Sequence, residues 1–371
     1  MTRDDGVPDN LAPSLLRWYD AARRDLPWRR TADPYRIWLA EVMLQQTRVE
    51  TVIPYYERFV ERFPTVASLA AASVEEVLEA WVGLGYYGRA RRLHAAARQV
   101  VAEHEGRVPR DPAALRALPG VGRYTAGAVL SIAYGLRVPV VDGNVERVLC
   151  RLFGLEGNPK AGPTRRRLWT LAGSLIPADR AGEFNQAMME LGATVCTPKA
   201  PACEACPVSA RCEARRLGRQ AELPELPPRK AVPHYDVGVG LVWRRGKVLI
   251  ARRPPDVMLG GLWEFPGGKR EDGEAMEETV RRELAEELGL EVTVRAPFVT
   301  CKHAYSHFTV TLHAFHCACP RGRVRPTEAD AFRWVGVSEL ADFPFPAGSV
   351  KIIRELERGR GLFAPGGEAG E

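Results

Sequence analysis

Four cysteines fall within one short stretch, Cys196-x6-Cys203-x2-Cys206-x5-Cys212. Thiolates this close together can surround one metal centre. A structural zinc site more often pairs two C-x-x-C hooks across a longer loop. One long gap, one C-x-x-C and one medium gap suit a compact loop wrapped round a cubane iron–sulfur cluster. Carboxylates form a second set. Glu41 sits inside Trp38-Leu-Ala-Glu-Val-Met-Leu44. A carboxyl buried there would be poorly solvated, hold its proton to higher pH and could act as a general acid. An exposed face of the same helix is equally compatible with the pattern. Asp142 follows Val140-Val141 and precedes Gly143-Asn144, which reads as a turn or an N-cap, set about one helix beyond the Gly120–Gly122 turn. Glu283, Glu286 and Glu287 stand at i, i+3 and i+4 and would share one helix face. Three carboxylates together favour a hard cation such as Mg²⁺, which in turn holds a pyrophosphate.

Helices must position the first two sets. Apolar residues recur at helical spacing over Leu11–Arg24, Ile37–Phe63, Val74–Gly83, Gly88–His104, Thr125–Tyr134 and Thr164–Leu175. Strand patterning is nearly absent before residue 216. Between Leu118 and Tyr124 the chain reads Leu-Pro-Gly-Val-Gly-Arg-Tyr. Gly120 and Gly122 allow a tight turn that brings N–H groups to a phosphate at a helix N-terminus. This is the pattern of a helix-hairpin-helix element, although a plain helix–helix turn is its simpler reading.

The third set sits in different surroundings. Leu223–Pro233 carries four prolines and reads as an extended linker. Beyond it Val237, Val239, Leu241 and Trp243 alternate, Gly246 turns the chain, and Val248–Ala251 returns it as a hairpin. Thr309–Phe315 alternates again. A helix is expected over Glu274–Leu288, stopped by Gly289.

The 371 residues suffice for two cores. No apolar run approaches membrane-spanning length and no secretory signal is visible, so the eight cysteines point to a reducing cytosol. Cys150, Cys301, Cys317 and Cys319 read as core filler. Residues 1–216 hold 30 Lys plus Arg against 24 Asp plus Glu, whereas residues 217–371 hold 22 of each. The whole net charge of +6 therefore lies in the half with the cysteine loop, as expected if that half meets a polyanion.

Together these motifs resemble the endonuclease III superfamily of helix-hairpin-helix DNA glycosylases, and within it the adenine-excising family. The marks are the cysteine spacing, Glu41-Val-Met-Leu-Gln-Gln-Thr47, Gly83-Leu-Gly-Tyr-Tyr87, Leu118–Tyr124, Val141-Asp-Gly-Asn-Val145 and Phe184-Asn-Gln-Ala-Met-Met-Glu-Leu-Gly192. The resemblance implies extrusion of adenine from the duplex. Glu41 would protonate the base and Asp142, ionised, would stabilise the oxocarbenium ion, with Tyr124 and Asn144 orienting them. It places Arg24 and Arg29 at the adenine pocket, Gln46 and Tyr86 in the opened base stack, and Gly120 and Gly122 on the DNA backbone. Cys196, Cys203, Cys206 and Cys212 would hold one 4Fe-4S cluster of structural role. Lys199, Arg211, Arg215 and Arg216 would reach phosphates. Bifunctional relatives carry lysine where this chain has Tyr124. A phenol cannot form an imine, so base removal without strand cutting is expected.

Residues 268–290 match the Nudix box at every defined position: Gly268, Glu274, Arg282, Glu283, Leu284, Glu286, Glu287, Gly289 and Leu290. Relatives of this family usually carry a degraded box in a C-terminal domain that recognises 8-oxoguanine opposite the adenine. Tyr305-Ser306-His307 resembles their reading loop. The expectation is therefore a multidomain chain: an all-α helix-hairpin-helix glycosylase over 1–216 with its cluster loop at 196–212, a proline-rich linker over 217–233, and an α+β Nudix-like domain over 234–371. It would act as a monomer in the cytoplasm, at the nucleoid, on double-stranded DNA with adenine opposite 8-oxoguanine or guanine. Two alternatives stand beside it. One adds 8-oxo-dGTP hydrolysis with Mg²⁺ at Glu283, Glu286 and Glu287. The other is a non-catalytic damage-binding protein, against which the presence of both Glu41 and Asp142 argues.

Overall fold

The structure is a computed structural model and describes residues 11–228, 231–254, 257–305, 308–318 and 323–359. The chain divides into two compact units, Met1–Ala72 with Arg92–Arg229, and Ser73–Arg91 with Lys230–Glu371. Among the described residues no helix is long and apolar enough to cross a membrane.

The first unit is helical. Asp33 caps the Pro34–Leu44 helix, its carboxylate accepting the Tyr35 N–H at 2.9 Å, and Pro34 opens the first turn. This helix is buried all round from Tyr35 and Ile37 to Met43, so Glu41 has no solvent-facing side to occupy. The expected single helix over Ile37–Phe63 is in fact two, Pro34–Leu44 and Val49–Arg62. The break is at Gln46, whose φ of 58° is left-handed and cannot continue a helix. One further helix, Ala181–Thr194, is buried on nearly every face and packs with Leu11–Ala22 and Gly143–Leu152 in one core that includes Leu15, Leu149, Phe184 and Leu191. At Gly192 a Cβ would lie 2.6 Å from that of Asn144. Only glycine lets this helix approach the start of Gly143–Leu152 so closely.

The second unit is built on a seven-stranded sheet of described residues. His234–Arg244 is central, antiparallel to Lys247–Arg252 and Gly267–Lys269 and parallel to Thr309–Ala318. Thr293–Ala304 extends one edge, and Trp263–Glu264 with Ala331–Val335 the other. The helix Met276–Leu288 covers one face through Val280, Leu284 and Leu288. Ala347–Arg358 covers the other through Ile352, Ile353 and Leu356. The first of these starts two residues later than expected, because Glu274 serves as an acceptor for Thr279 Oγ1 and the Glu271 N–H ahead of the first turn. Gly238 and Gly240 lie under it, where a Cβ would meet Val280 at 2.9 Å and Leu284 at 2.7 Å.

Candidate active site and cysteine loop

A cleft of about 680 Å³ opens in the helical unit, within the ~300–1,000 Å³ span usual for small-molecule sites. Arg24, Arg29, Glu41, Gln46, Gly120, Gly122, Tyr124, Asp142 and Asn144 all line it. Nine of the residues singled out from sequence thus converge on one space, from four separate stretches of chain.

Glu41 is 5% exposed. Tyr124, in the first turn of the Arg123–Ile132 helix, donates its hydroxyl to Glu41 Oε2 at 2.5 Å. Burial pushes the Glu41 carboxyl up to about 7, against the Tyr124 hydrogen bond, which lowers it, with Asp142 adding to the rise and Arg29 opposing it. Tyr124 is itself held well above the usual phenol range by burial and by the carboxylates of Glu41 and Asp142. It is a neutral donor.

Asp142 is the N-cap of Gly143–Leu152. Its Oδ1 accepts the Val145 N–H at 2.8 Å and its Oδ2 the Asn144 side-chain amide at 3.0 Å. Burial raises its pKa as well, but these donors and Arg147 pull the other way. Arg147 donates to Asn144 Oδ1 at 3.0 Å, and also to the Gly192 carbonyl at 2.6 Å and the Cys196 carbonyl at 2.7 Å.

Glu190 was not among the residues singled out. It lies in the Ala181–Thr194 helix, 1% exposed. Its carboxylate accepts the Arg24 N–H at 3.0 Å, Arg24 Nε at 2.8 Å and one nitrogen from each of the Arg24 and Arg29 guanidinium groups at 2.7 and 2.8 Å. Burial would raise it, but these hydrogen bonds outweigh burial and hold it at about 2. A signal was available: like Glu41, Glu190 is a lone carboxylate in a largely apolar motif.

Tyr86 is not among the cleft-lining residues. It has φ of 51° and lies in the Ser73–Arg91 segment of the other unit, with the Arg89 guanidinium 5.3 Å from its ring. Tyr305 stacks on Phe308 at 4.7 Å, and its hydroxyl accepts the backbone N–H of Gly348. Ser306, His307 and Cys319 lie outside the described residues. Cys150, Cys301 and Cys317 are buried, as expected of core filler.

Cys196, Cys203, Cys206 and Cys212 line a single pocket together with Arg151 and Gln220. Arg151 is 2% exposed and ties the loop down. It donates to the carbonyls of Thr197 at 2.7 Å, Pro198 at 2.9 Å and Leu223 at 2.9 Å, and to Cys196 Sγ at 3.4 Å. Lys199 and Arg211 are exposed, whereas Arg215 pairs with Glu204 and Arg216 with Glu213. Among the described residues no three Cys, His, Asp or Glu side chains are grouped to hold one metal ion.

On the Nudix helix the expected Mg²⁺ site is not supported. Arg282 occupies the carboxylate face instead. It donates to Glu274 at 2.9 Å, Glu283 at 3.0 Å, Glu286 at 3.2 Å and the Lys269 carbonyl at 3.0 Å. Glu287 accepts the Gly267 N–H at 3.2 Å, and burial with the nearby Glu264 pushes it up to about 8.

Residues 39–173 match the model of the HhH-GPD superfamily base excision DNA repair proteins, and residues 238–355 that of the NUDIX domain. The human adenine DNA glycosylase is 38% identical over 92% of this chain and 73% of its own length. That of Mycolicibacterium smegmatis is 48% identical over 55% of this chain and 69% of its own. Among solved structures, a thermostable thymine-DNA glycosylase superposes with a TM-score of 0.52 at 34% identity, over 56% of this chain and 95% of that one. A helical repair-enzyme fold, a Nudix domain behind it and kinship along most of its length mean that this chain belongs to the adenine DNA glycosylase family.

Proposed function

We propose that the chain hydrolyses the N-glycosidic bond of adenine paired with 8-oxoguanine, and less selectively with guanine. One observation carries this reading: a buried carboxyl pushed up to about 7, Glu41, faces the same cleft as an N-capped carboxylate, Asp142. Glycosidic cleavage needs such a division, one acid and one anion. Glu41 gives its proton to the ring of the extruded base, which leaves neutral. Asp142 remains ionised, its charge spread over two donors, and stabilises the cation that develops on the sugar. Tyr124 supplies no amine, so water completes the reaction and the strand is not cut. Arg24 and Arg29, both bound to Glu190, wall the cleft that takes the base.

The hairpin glycines Gly120 and Gly122 and the helix that follows bind the duplex backbone through N–H groups, and Gln46 and Tyr86 fill the opened stack. We read residues 1–216 as the glycosylase, 217–233 as the linker and 234–371 as the part that recognises the lesion, through Tyr305, Ser306 and His307. The enzyme acts as a monomer on DNA at the nucleoid. The four cysteine thiols fit a 4Fe-4S cluster: they surround one pocket, no His, Asp or Glu lines it, and Arg151 directs an N–H at Cys196 Sγ. The cluster would supply rigidity to the loop that bears Lys199 and Arg211. Purified protein should then be brown, with iron and sulfide in equal amounts. Stoichiometric zinc without visible absorbance would overturn that assignment.

The deciding experiment measures base release from a duplex with one adenine opposite 8-oxoguanine, against the same duplex with adenine opposite thymine. Release from the first and not the second is expected. Equal release from both would remove the mispair reading.

A further inference from the structure

The Tyr124 hydroxyl has two partners. It is 2.5 Å from Glu41 Oε2 and 3.3 Å from the thioether sulfur of Met189, which lies one residue before Glu190 on the Ala181–Thr194 helix. A phenol has one hydrogen to donate. When Glu41 is ionised, that hydrogen belongs to the carboxylate. When Glu41 carries its proton on Oε2, the carboxyl O–H becomes the donor and the phenol oxygen the acceptor. The phenol hydrogen must then go elsewhere, and the sulfur is the acceptor within reach. We propose that Met189 is a positioning residue for the acid: its sulfur takes the Tyr124 hydrogen whenever Glu41 is protonated on the side facing the phenol.

This arrangement shelters the acid proton from the cleft until a base arrives. Its release needs only rotations. The carboxyl turns so that its O–H faces the base, and the phenol O–H swings from sulfur to the oxygen now presented to it. No bond is made or broken before the transfer itself. A thioether is a weak acceptor, as this task requires, because a stronger one would hold the phenol away from Glu41 in both protonation states. The elevated position of Glu41, at about 7, agrees with a protonated form that keeps its partners satisfied. The other groups acting on Glu41 are Asp142, at the start of Gly143–Leu152, and Arg29, in the Pro27–Arg29 turn. Glu190, beside Met189, is neutralised by Arg24 and Arg29. None of these changes when the sulfur is removed.

The inference rests on Glu41 as the acid of the reading above, so its test needs a readout besides activity. The carboxyl stretch of Glu41 can be titrated by infrared difference spectroscopy, each protein being compared with its own Glu41→Gln version. Met189→Leu keeps the bulk and removes the acceptor. It should lower the Glu41 titration by on the order of half a pH unit, about threefold in the protonation constant. In a Tyr124→Phe background the same substitution should produce no shift, because there is no hydrogen to place. The alkaline limb of single-turnover excision should move with the infrared value. An equal shift in both backgrounds would mean that the sulfur acts only through local polarity, and no shift in either would mean that it does not act at all. Each overturns the proposal. Infrared coupling of Met189 with Tyr124 in a protein that releases no adenine would instead leave the proton arrangement standing and remove the glycosylase reading.

Discussion

Both units carry carboxylates on helices, and their fates differ because their partners differ in kind. Glu41 has a neutral phenol as its hydrogen-bond partner, and Arg29 acts on it only through its charge. It can therefore hold a proton near neutral pH. On the Nudix helix Arg282 binds Glu274, Glu283 and Glu286 at once, and Glu274 is held at about 2 by that guanidinium. Glu190 shows the same contrast within the cleft that holds Glu41. It is as buried as Glu41 but clamped by two arginines, and it stays ionised. Burial makes an acid where only a neutral donor opposes it, while burial with guanidinium partners makes an anchor.

The largest effect expected from this contrast is on chemistry. Glu41→Gln should bind mispaired DNA yet lose at least about 10³-fold in single-turnover adenine release, the upper part of the range for a general acid. Asp142→Asn should follow at about 10²–10³-fold, since it removes the charge that faces the cation. Near-normal release by either variant would dissolve the division of labour between the two carboxyls.

A second effect joins function to stability. Glu41 is at about 7 in the folded chain and near 4.5 when free. The folded state therefore binds more protons between these values, and stability falls as pH rises through that window. Excision should hold through that window and fall only above about 7, tenfold per unit. Glu41→Gln should thus be more stable than the wild type at pH 8, by about 1–3 kcal/mol, and no more stable at pH 4. Thermal unfolding of the two proteins at both pH values checks the sign. If the variant is less stable at pH 8, the buried carboxyl is better solvated than the structure implies.

Smaller effects are expected in the second unit. Ser306→Ala with His307→Ala should leave excision opposite guanine intact but lower the preference for 8-oxoguanine by about 10-fold to 100-fold, at ~1–3 kcal/mol per good polar pair. Competition between the two duplexes in one tube measures this. Glu286→Gln should change selectivity least of all, because its carboxylate is 60% exposed and only completes the contacts of Arg282. A variant at Glu286 that erased selectivity while the Ser306 and His307 pair proved dispensable would relocate the reading site.

Local sequence determined much of this protein. The cysteine spacing, the Gly120–Gly122 hairpin and the Nudix pattern are short-range features, legible because neighbouring residues alone specify a turn or a helix face. The strand Val237–Trp243 and the stop at Gly289 were likewise written in local alternation and in the left-handed backbone that glycine accepts. Helices buried on all sides were harder to see. Ala181–Thr194 shows no apolar stripe, because every face meets protein, and Glu190 went unnoticed with it. The break at Gln46 was hidden for a different reason, since the polar run Gln45–Arg48 contains neither glycine nor proline to mark it. Tertiary structure alone decided which carboxylates meet which cations. Arg24 and Glu190 are 166 residues apart, and Tyr124 and Glu41 are 83 apart. A carboxyl's charge depends on what lies within a few ångströms of it, and for a buried group those neighbours come from distant parts of the chain.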